Sequence, residues 1–130
     1  MTPELEAQTR KRRINPRLEM AGWHPVAFSP ATPLASYPHS AIEEYETRNG
    51  PTDYALCDRG QIRGVVEAKK VTLGPQGVLV QAERYAKGID QTPRYQGEFG
   101  VPFLYSTNGE QIWFHDVRNP LNTPAALVMR

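Results

Sequence analysis

The stretch Thr52–Lys70, TDYALCDRGQIRGVVEAKK, constrains the fold of this chain more than any other. It reads as a β-hairpin. An apolar and aromatic arm runs from Asp53 to Asp58, a second arm with a Val-Val pair runs from Ile62 to Ala68, and Asp58-Arg59-Gly60-Gln61 between them is turn chemistry. Gly60 is free to take positive φ there. Asp53, Glu67 and Lys69 put charge into arms whose composition calls for burial, which is costly unless the charges are paired or hold a metal. Glu67 and Lys69 are two apart and share one strand face. Asp53 and Glu67 are equally far from Gly60, so an odd loop centred there sets them directly opposite each other, on one side of the hairpin. An even two-residue loop would reverse the parity and separate them. Two carboxylates and an ammonium on one face suit a hard divalent cation such as Mg²⁺. Such an ion can hold a phosphate and lower the pKa of a water, while a lysine orients that water or stabilises developing charge. The same three residues also suit a plain ion pair on an edge strand, and the pattern alone leaves both readings open.

Composition narrows the class. At 130 residues the chain is expected to be one domain with a single core. Apolar residues at 39% and charged residues at 22% fit a soluble globular protein, and 12 prolines imply irregular connections. A net charge of +1 gives no global field for nucleic acid, so any basic footprint must be local. Cys57 is the only cysteine, which excludes an intramolecular disulfide and a cysteine-based zinc site and fits a reducing compartment. The chain has no apolar run of transmembrane length and a charged N-terminal stretch unlike a signal peptide, so no membrane association and a cytoplasmic location are expected. His24, His39 and His115 have no ligand-type spacing, and neither a P-loop nor a Gly-x-Ser-x-Gly elbow occurs.

Along the chain, Thr2-Pro3-Glu4 has the chemistry of a helix start, with a cap, a first-turn proline and acids at the positive end of the dipole. The helix is expected to run towards Ala21, with Ile14, Leu18 and Ala21 as its buried stripe and Gly22 as its stop. Asn15-Pro16 either kinks it or starts a second helix. Arg10, Lys11, Arg12, Arg13 and Arg17 form a basic cluster, either a solvated face or a phosphate-contacting patch. Trp23–Phe28 reads as a strand and Ser29–Ser40 as a Pro-rich loop or insertion. Ala41–Thr47 reads as a strand leading through an Asn49-Gly50-Pro51 turn into the hairpin. Val78–Gly88 follows with helical spacing in Val78, Ala82, Tyr85, Ala86 and Ile89, and Gln81 and Tyr85 are neighbours on its surface. Val101–Ser106 and Gln111–Val117 read as strands joined by an Asn108-Gly109 turn, and the pattern after Asn119 is weak. The order predicts an α/β fold, a mixed β-sheet flanked by helices.

The order Asp53, Glu67-Ala68-Lys69, then Gln81-x-x-x-Tyr85 on a helix resembles the PD-(D/E)xK nuclease superfamily, in its RecB-like branch. Four segments in order, EAQTRKRRINPRLEMAGW, GPTDYALCDRGQIRGVVEAKK, QAERYA and PFLYSTNGEQIWFHD, are similar to the N-terminal nuclease domain of type I restriction enzyme R subunits. Thr52 stands where the superfamily name has proline, and residues 29–40 look like a family-variable insertion. The resemblance implies a PD-(D/E)xK core in which residues 1–130 are a single nuclease domain. It further implies a fragment of a longer R subunit that continues into an ATP-dependent translocase.

For the site, the resemblance implies that Asp53 and Glu67 bind Mg²⁺, with the Ala68 carbonyl as a further ligand. Lys69 would serve the attacking water, and Gln81 and Tyr85 would position DNA or the active-site groups. A carboxylate from the first helix would join them, Glu6 rather than Glu4. The implied reaction is Mg²⁺-dependent cleavage of double-stranded DNA, with the methylation and specificity subunits of a type I complex as partners and ATP used only by the translocase. The rival reading is a non-cleaving DNA-binding or docking module of the same fold. A plain protein-interaction domain would leave the three charges unexplained.

Overall fold

The computed structural model describes residue 8 and residues 10–68 and 79–127. Seven strands form one sheet, ordered in space as in the chain: β1 (His24–Ala27), β2 (Ser40–Thr47), β3 (Gly50–Asp58), β4 (Gln61–Ala68), β5 (Phe103–Thr107), β6 (Ile112–Asp116) and β7 (Ala125–Leu127). β1–β2 and β4–β5 pair parallel and the other neighbours antiparallel, so the sheet is mixed and the class is α/β. Parallel neighbours require a crossover. Between β4 and β5 the crossover carries helix α2 (Val80–Lys87). Between β1 and β2 it is the Pro-rich segment itself, with a 3₁₀ turn at Leu34–Ser36. Tyr37, buried there, accepts a hydrogen bond from the Ser29 amide at 2.9 Å and closes the segment on itself. That segment is therefore a structural connection of the sheet.

Each face of the sheet carries its own core. On one face Ile42, Ala55, Cys57, Val65 and Leu104 pack against Leu79, Ala82, Ala86 and Ile89 of α2 and its flanks. On the other, Ala41, Tyr54, Leu56, Val66 and Ala68 pack against Ile14, with Leu18 and Trp23 beside them. Ile14 and Leu18 belong to a π-helical turn (Arg10–Ile14) that runs directly into helix α1 (Asn15–Met20). Pro16 explains the junction, because proline lacks a donor and clashes with the carbonyl four residues back, and a wider turn relieves both. Asn15 does not cap α1; its side chain accepts a hydrogen bond from Tyr54 Oη instead. Gly22, at φ +94, ends the helix as expected. Ala21 is exposed, so the buried stripe of α1 stops at Leu18. The expected helix start at Thr2–Glu4 lies outside the described residues, as does Val78 of the expected α2 stripe.

Two turns differ from expectation. The β2–β3 turn is made by Arg48 and Asn49, and Gly50, at φ +110, opens β3. β7 was not apparent in the weak pattern of the tail; it is an exposed three-residue edge strand held by its ladder to β6.

The central hairpin turns through two residues, Arg59 and Gly60, at φ +51 and +77, between the closing pair Asp58–Gln61. Positive φ at both central positions is the signature of a type I′ turn, which matches strand twist and favours Asn-Gly. Arginine is a poor left-handed residue, and asparagine tolerates that region. Arg59→Asn is therefore expected to raise stability by about 0.5–1 kcal/mol, read as a higher urea midpoint at unchanged slope. An unchanged or lowered midpoint would contradict the assignment of strain to this residue.

Candidate active site

An even loop alone would have separated Asp53 from Glu67. The ladder shows what restores them. Cys57 pairs with Ile62, but the next pair is Leu56 with Gly64, so Arg63 is a bulge residue without a partner in β3. The two-residue turn plus one bulge residue gives an odd separation, and the pairs Leu56–Gly64, Ala55–Val65 and Tyr54–Val66 lead on to Asp53 opposite Glu67. The expected juxtaposition is present, produced by a bulge and not by an odd loop.

At this point the backbone ladders give out. The β3–β4 pairing ends at Tyr54–Val66. On the other side of β3 the pairing passes from Glu43–Tyr54 to Tyr45–Thr52, skipping Glu44 and Asp53, and Glu44 has φ +58. Side chains take over the amides. The Asp53 amide donates to Glu67 Oε1 at 3.1 Å, and the Ala68 amide donates to Asp53 Oδ2 at 2.8 Å. Thr52 Oγ1 donates to the same Glu67 Oε1 at 2.8 Å. The two carboxylates are thus fixed by each other's strand.

The electrostatics are adverse. Glu67 is only 5% exposed. Burial, and next the Asp53 charge, push its carboxyl up to about 8. One cation reaches the pair from the α1 side: Arg10 Nη1 lies 3.7 Å from Asp53 Oδ1 and 2.6 Å from Glu44 Oε1. From the opposite side of the sheet comes Tyr85 of α2. Its ring lies against Gly50 at the start of β3, and burial, then the Glu67 charge, raise its hydroxyl. One turn earlier on α2, the buried Gln81 Oε1 has no hydrogen-bond partner among the described residues. Ser106, which pairs with Glu67 across β5, also has a buried, unpartnered hydroxyl among the described residues. Unsatisfied buried polar atoms are rare and call for a ligand or water.

The structure therefore brings together Asp53, Glu67 and the Ala68 backbone, with Tyr85 near and Gln81 on the same helix. Lys69, Glu6 and Glu4 lie outside the described residues. Sequence reasoning missed Thr52 and Glu44, and it placed Arg10 only within a basic cluster. Thr52 carried a faint signal as the residue preceding the carboxylate; Glu44 carried none, because its role depends on a left-handed backbone. Much of the cluster is engaged in tethering. Arg13 bonds Glu110 at 3.3 Å and Arg17 Nε donates to the Gly109 carbonyl at 2.9 Å, both tying the first helical segment to the β5–β6 turn. His39 stacks on Trp23 at 3.7 Å, a packing role.

Among the described residues no three His, Cys, Asp or Glu side chains form a metal-holding group. Two carboxylates with an adjacent backbone carbonyl still fit a cation that keeps several waters and takes its remaining oxygens from a phosphate, as Mg²⁺ does.

The sequence matches the family model described as the second domain of the type I restriction enzyme EcoKI endonuclease subunit, over residues 26–129. The chain belongs to this family. The endonuclease subunit of EcoKI from Escherichia coli (strain K12) is 26% identical over 174 aligned residues, which cover 97% of this chain and 15% of that subunit. No solved structure matches significantly. Among the described residues of this EcoKI-type domain, no helix is long and apolar enough to cross a membrane.

The raised Glu67 carboxyl makes the stability of this domain pH-dependent. The folded state binds a proton that the unfolded state has released, so stability is greatest below the ordinary carboxylate range and falls as pH rises through about 8. In the presence of a chelator, the melting temperature is expected to fall from about pH 5 to about pH 8, and Glu67→Gln to flatten that fall. Parallel profiles for the two proteins would show that Glu67 is not the group responsible.

Proposed function

We propose that this EcoKI-type domain is the DNA-cleaving nuclease domain of a type I restriction enzyme, built on a PD-(D/E)xK core, and that it hydrolyses double-stranded DNA with Mg²⁺. The observation that carries the reading is the pair Asp53–Glu67, two carboxylates held face to face with one of them desolvated. An arrangement so unfavourable for stability is typical of functional sites. The family membership supports it, and so does the helix that follows β4, with a buried Gln81 Oε1 unpartnered among the described residues and a half-buried Tyr85.

In this reading Asp53, Glu67 and the Ala68 carbonyl hold the ion. Bound Mg²⁺ would supply Lewis acidity to the scissile phosphate and a water of lowered pKa. Thr52 and the Asp53 amide fix one oxygen of Glu67 and leave the other for the ion. Lys69, which follows Ala68, orients the attacking water or stabilises developing charge, and Glu6 adds a carboxylate from the N-terminal helix. Gln81 and Tyr85 position the DNA strand. The domain would work in the cytoplasm within a longer subunit that includes the ATP-driven translocase, together with methylation and specificity subunits.

The test uses variants that keep the hydrogen bonds. Truncating Asp53 to Ala would orphan the Ala68 amide, whereas Asp53→Asn and Glu67→Gln retain an acceptor while removing charge. In the assembled enzyme both are expected to abolish DNA cleavage, as is Lys69→Ala, with ATP hydrolysis and translocation intact. Lys69→Arg separates catalysis from mere binding: a docking module needs only positive charge, while a water-orienting lysine is not replaced by a bulky, permanently charged guanidinium. Cleavage at wild-type rate by Asp53→Asn and Glu67→Gln would sink the nuclease reading.

The isolated chain is expected to cut plasmid slowly and without sequence preference. A net charge of +1 and a basic cluster used in tethering leave few phosphate contacts, and nonspecific affinities reach only about 10⁻⁴–10⁻⁶ M at physiological salt. Rapid cutting at fixed positions by the purified chain would show that it carries its own recognition.

A further inference from the structure

We propose that Arg10 is a substrate-binding residue of this site, its guanidinium contacting the phosphodiester held at Asp53. The inference rests on the nuclease reading above and adds a residue to it. Arg10 is set apart from Arg13 and Arg17 by where it points. Arg13 and Arg17 reach the β5–β6 turn, whereas Arg10 reaches the carboxylates, with Nη1 3.7 Å from Asp53 Oδ1. Its side chain is 21% exposed and that of Asp53 13%, so the charge acts where water screens it little.

Its closer partner is a weak one. Glu44, whose carboxylate accepts from Arg10 at 2.6 Å, is 54% exposed, and ion pairs with so exposed a member contribute little. Glu44 makes the contact from a left-handed backbone, at the step where the β2–β3 ladder skips both it and Asp53. Strain of this kind in a non-glycine residue persists where the surroundings enforce it, and it clusters at functional sites. A guanidinium held beside the carboxylates by a half-exposed partner can exchange that partner for a phosphodiester, whose two non-bridging oxygens match its fork of donors as a carboxylate does. Asp53 and Glu44 otherwise present negative charge to a negatively charged strand, and among the described residues Arg10 offsets them.

In the assembled restriction enzyme, Arg10→Ala is expected to slow DNA cleavage about 10²-fold or more at saturating DNA, with Arg10→Lys recovering part of the loss. Arg118→Ala, which breaks a pair with Asp116 at the opposite end of the sheet, serves as the control and leaves cleavage unchanged. The second readout is duplex binding with Ca²⁺ in place of Mg²⁺, where losing one phosphate contact lowers the salt slope of log Kobs by about 0.9. If Arg10 only ties the helix to the sheet, the variant melts earlier but its cleavage rate and salt slope stay at wild-type values, and the proposal is overturned. Arg10→Gln gives the same comparison should the alanine variant fail to fold. Asp53→Asn separates the two failures: continued cutting by that variant refutes the nuclease reading, while its inactivity beside a fully active Arg10→Ala refutes only the role of Arg10.

Discussion

Asp53 stands where the β3–β4 ladder ends and the β2–β3 ladder skips a pair, and the carboxylates that take over amides there organise this end of the molecule. A strand that simply ended here would leave amides of Asp53 and Ala68 without partners in a region that is largely buried. Each carboxylate instead takes an amide of the opposite strand, so the acidic side chains serve as backbone partners as well as chemical groups. The consequence is positional precision. The two carboxyl groups are fixed by hydrogen bonds to main chain within a seven-stranded sheet, the kind of rigid support that a catalytic constellation requires and that a loop rarely provides. The helical segment before α1 then adds what the sheet cannot, the guanidinium of Arg10 beside Asp53.

This arrangement is unfavourable for the metal-free fold. A hydrogen bond to a charged group contributes about 1.5–3 kcal/mol, while desolvating an ion costs several kcal/mol even after relaxation. Three hydrogen bonds to Glu67 and Asp53 therefore do little more than offset burial of one charge, with the repulsion between two carboxylates still to be met. Glu67 responds by holding its proton to higher pH. Two neutral acceptors at the same register would satisfy the same amides without the repulsion, and the presence of two acids instead is the physical argument for function.

The hairpin was legible because its turn and its arms carry independent signals, Gly60 for the reversal and β-rich residues on either side. The opposition of Asp53 and Glu67 was legible only conditionally. Parity could be reasoned out, but whether the odd residue lay in the turn or in a bulge depends on how Arg63 and Gly64 fit against β5, where the would-be Cβ of Gly64 would come within 2.9 Å of the Phe103 carbonyl. Such a tertiary contact leaves no local pattern. The same holds for Glu44, a good-looking strand residue held in the left-handed region by its surroundings, and for β7, whose pairing to β6 outweighs its weak sequence pattern. The basic cluster shows the reverse error. A run of arginines looks like a single patch in sequence, yet the π-helical turn before Pro16 and the helix after it send Arg10, Arg13 and Arg17 to different partners.

That dispersal bears on how DNA would meet the site. In the nuclease reading, a phosphodiester approaching the site meets the carboxylates of Asp53 and Glu44, and that of Glu67 once it loses its proton, against one nearby guanidinium among the described residues. Without a divalent cation the balance is repulsive, and in a partly buried setting that repulsion is not removed by salt as it would be at an open surface. In the proposed mechanism a bound cation would reverse the sign locally, so binding of metal and binding of substrate would support each other. The rest of the domain contributes little long-range attraction, because its charges nearly cancel. A centre of this kind would hold DNA poorly by itself and would act once the strand is held in place by other contacts, a division of labour that suits the proposed role of a domain that aligns with 15% of a larger endonuclease subunit.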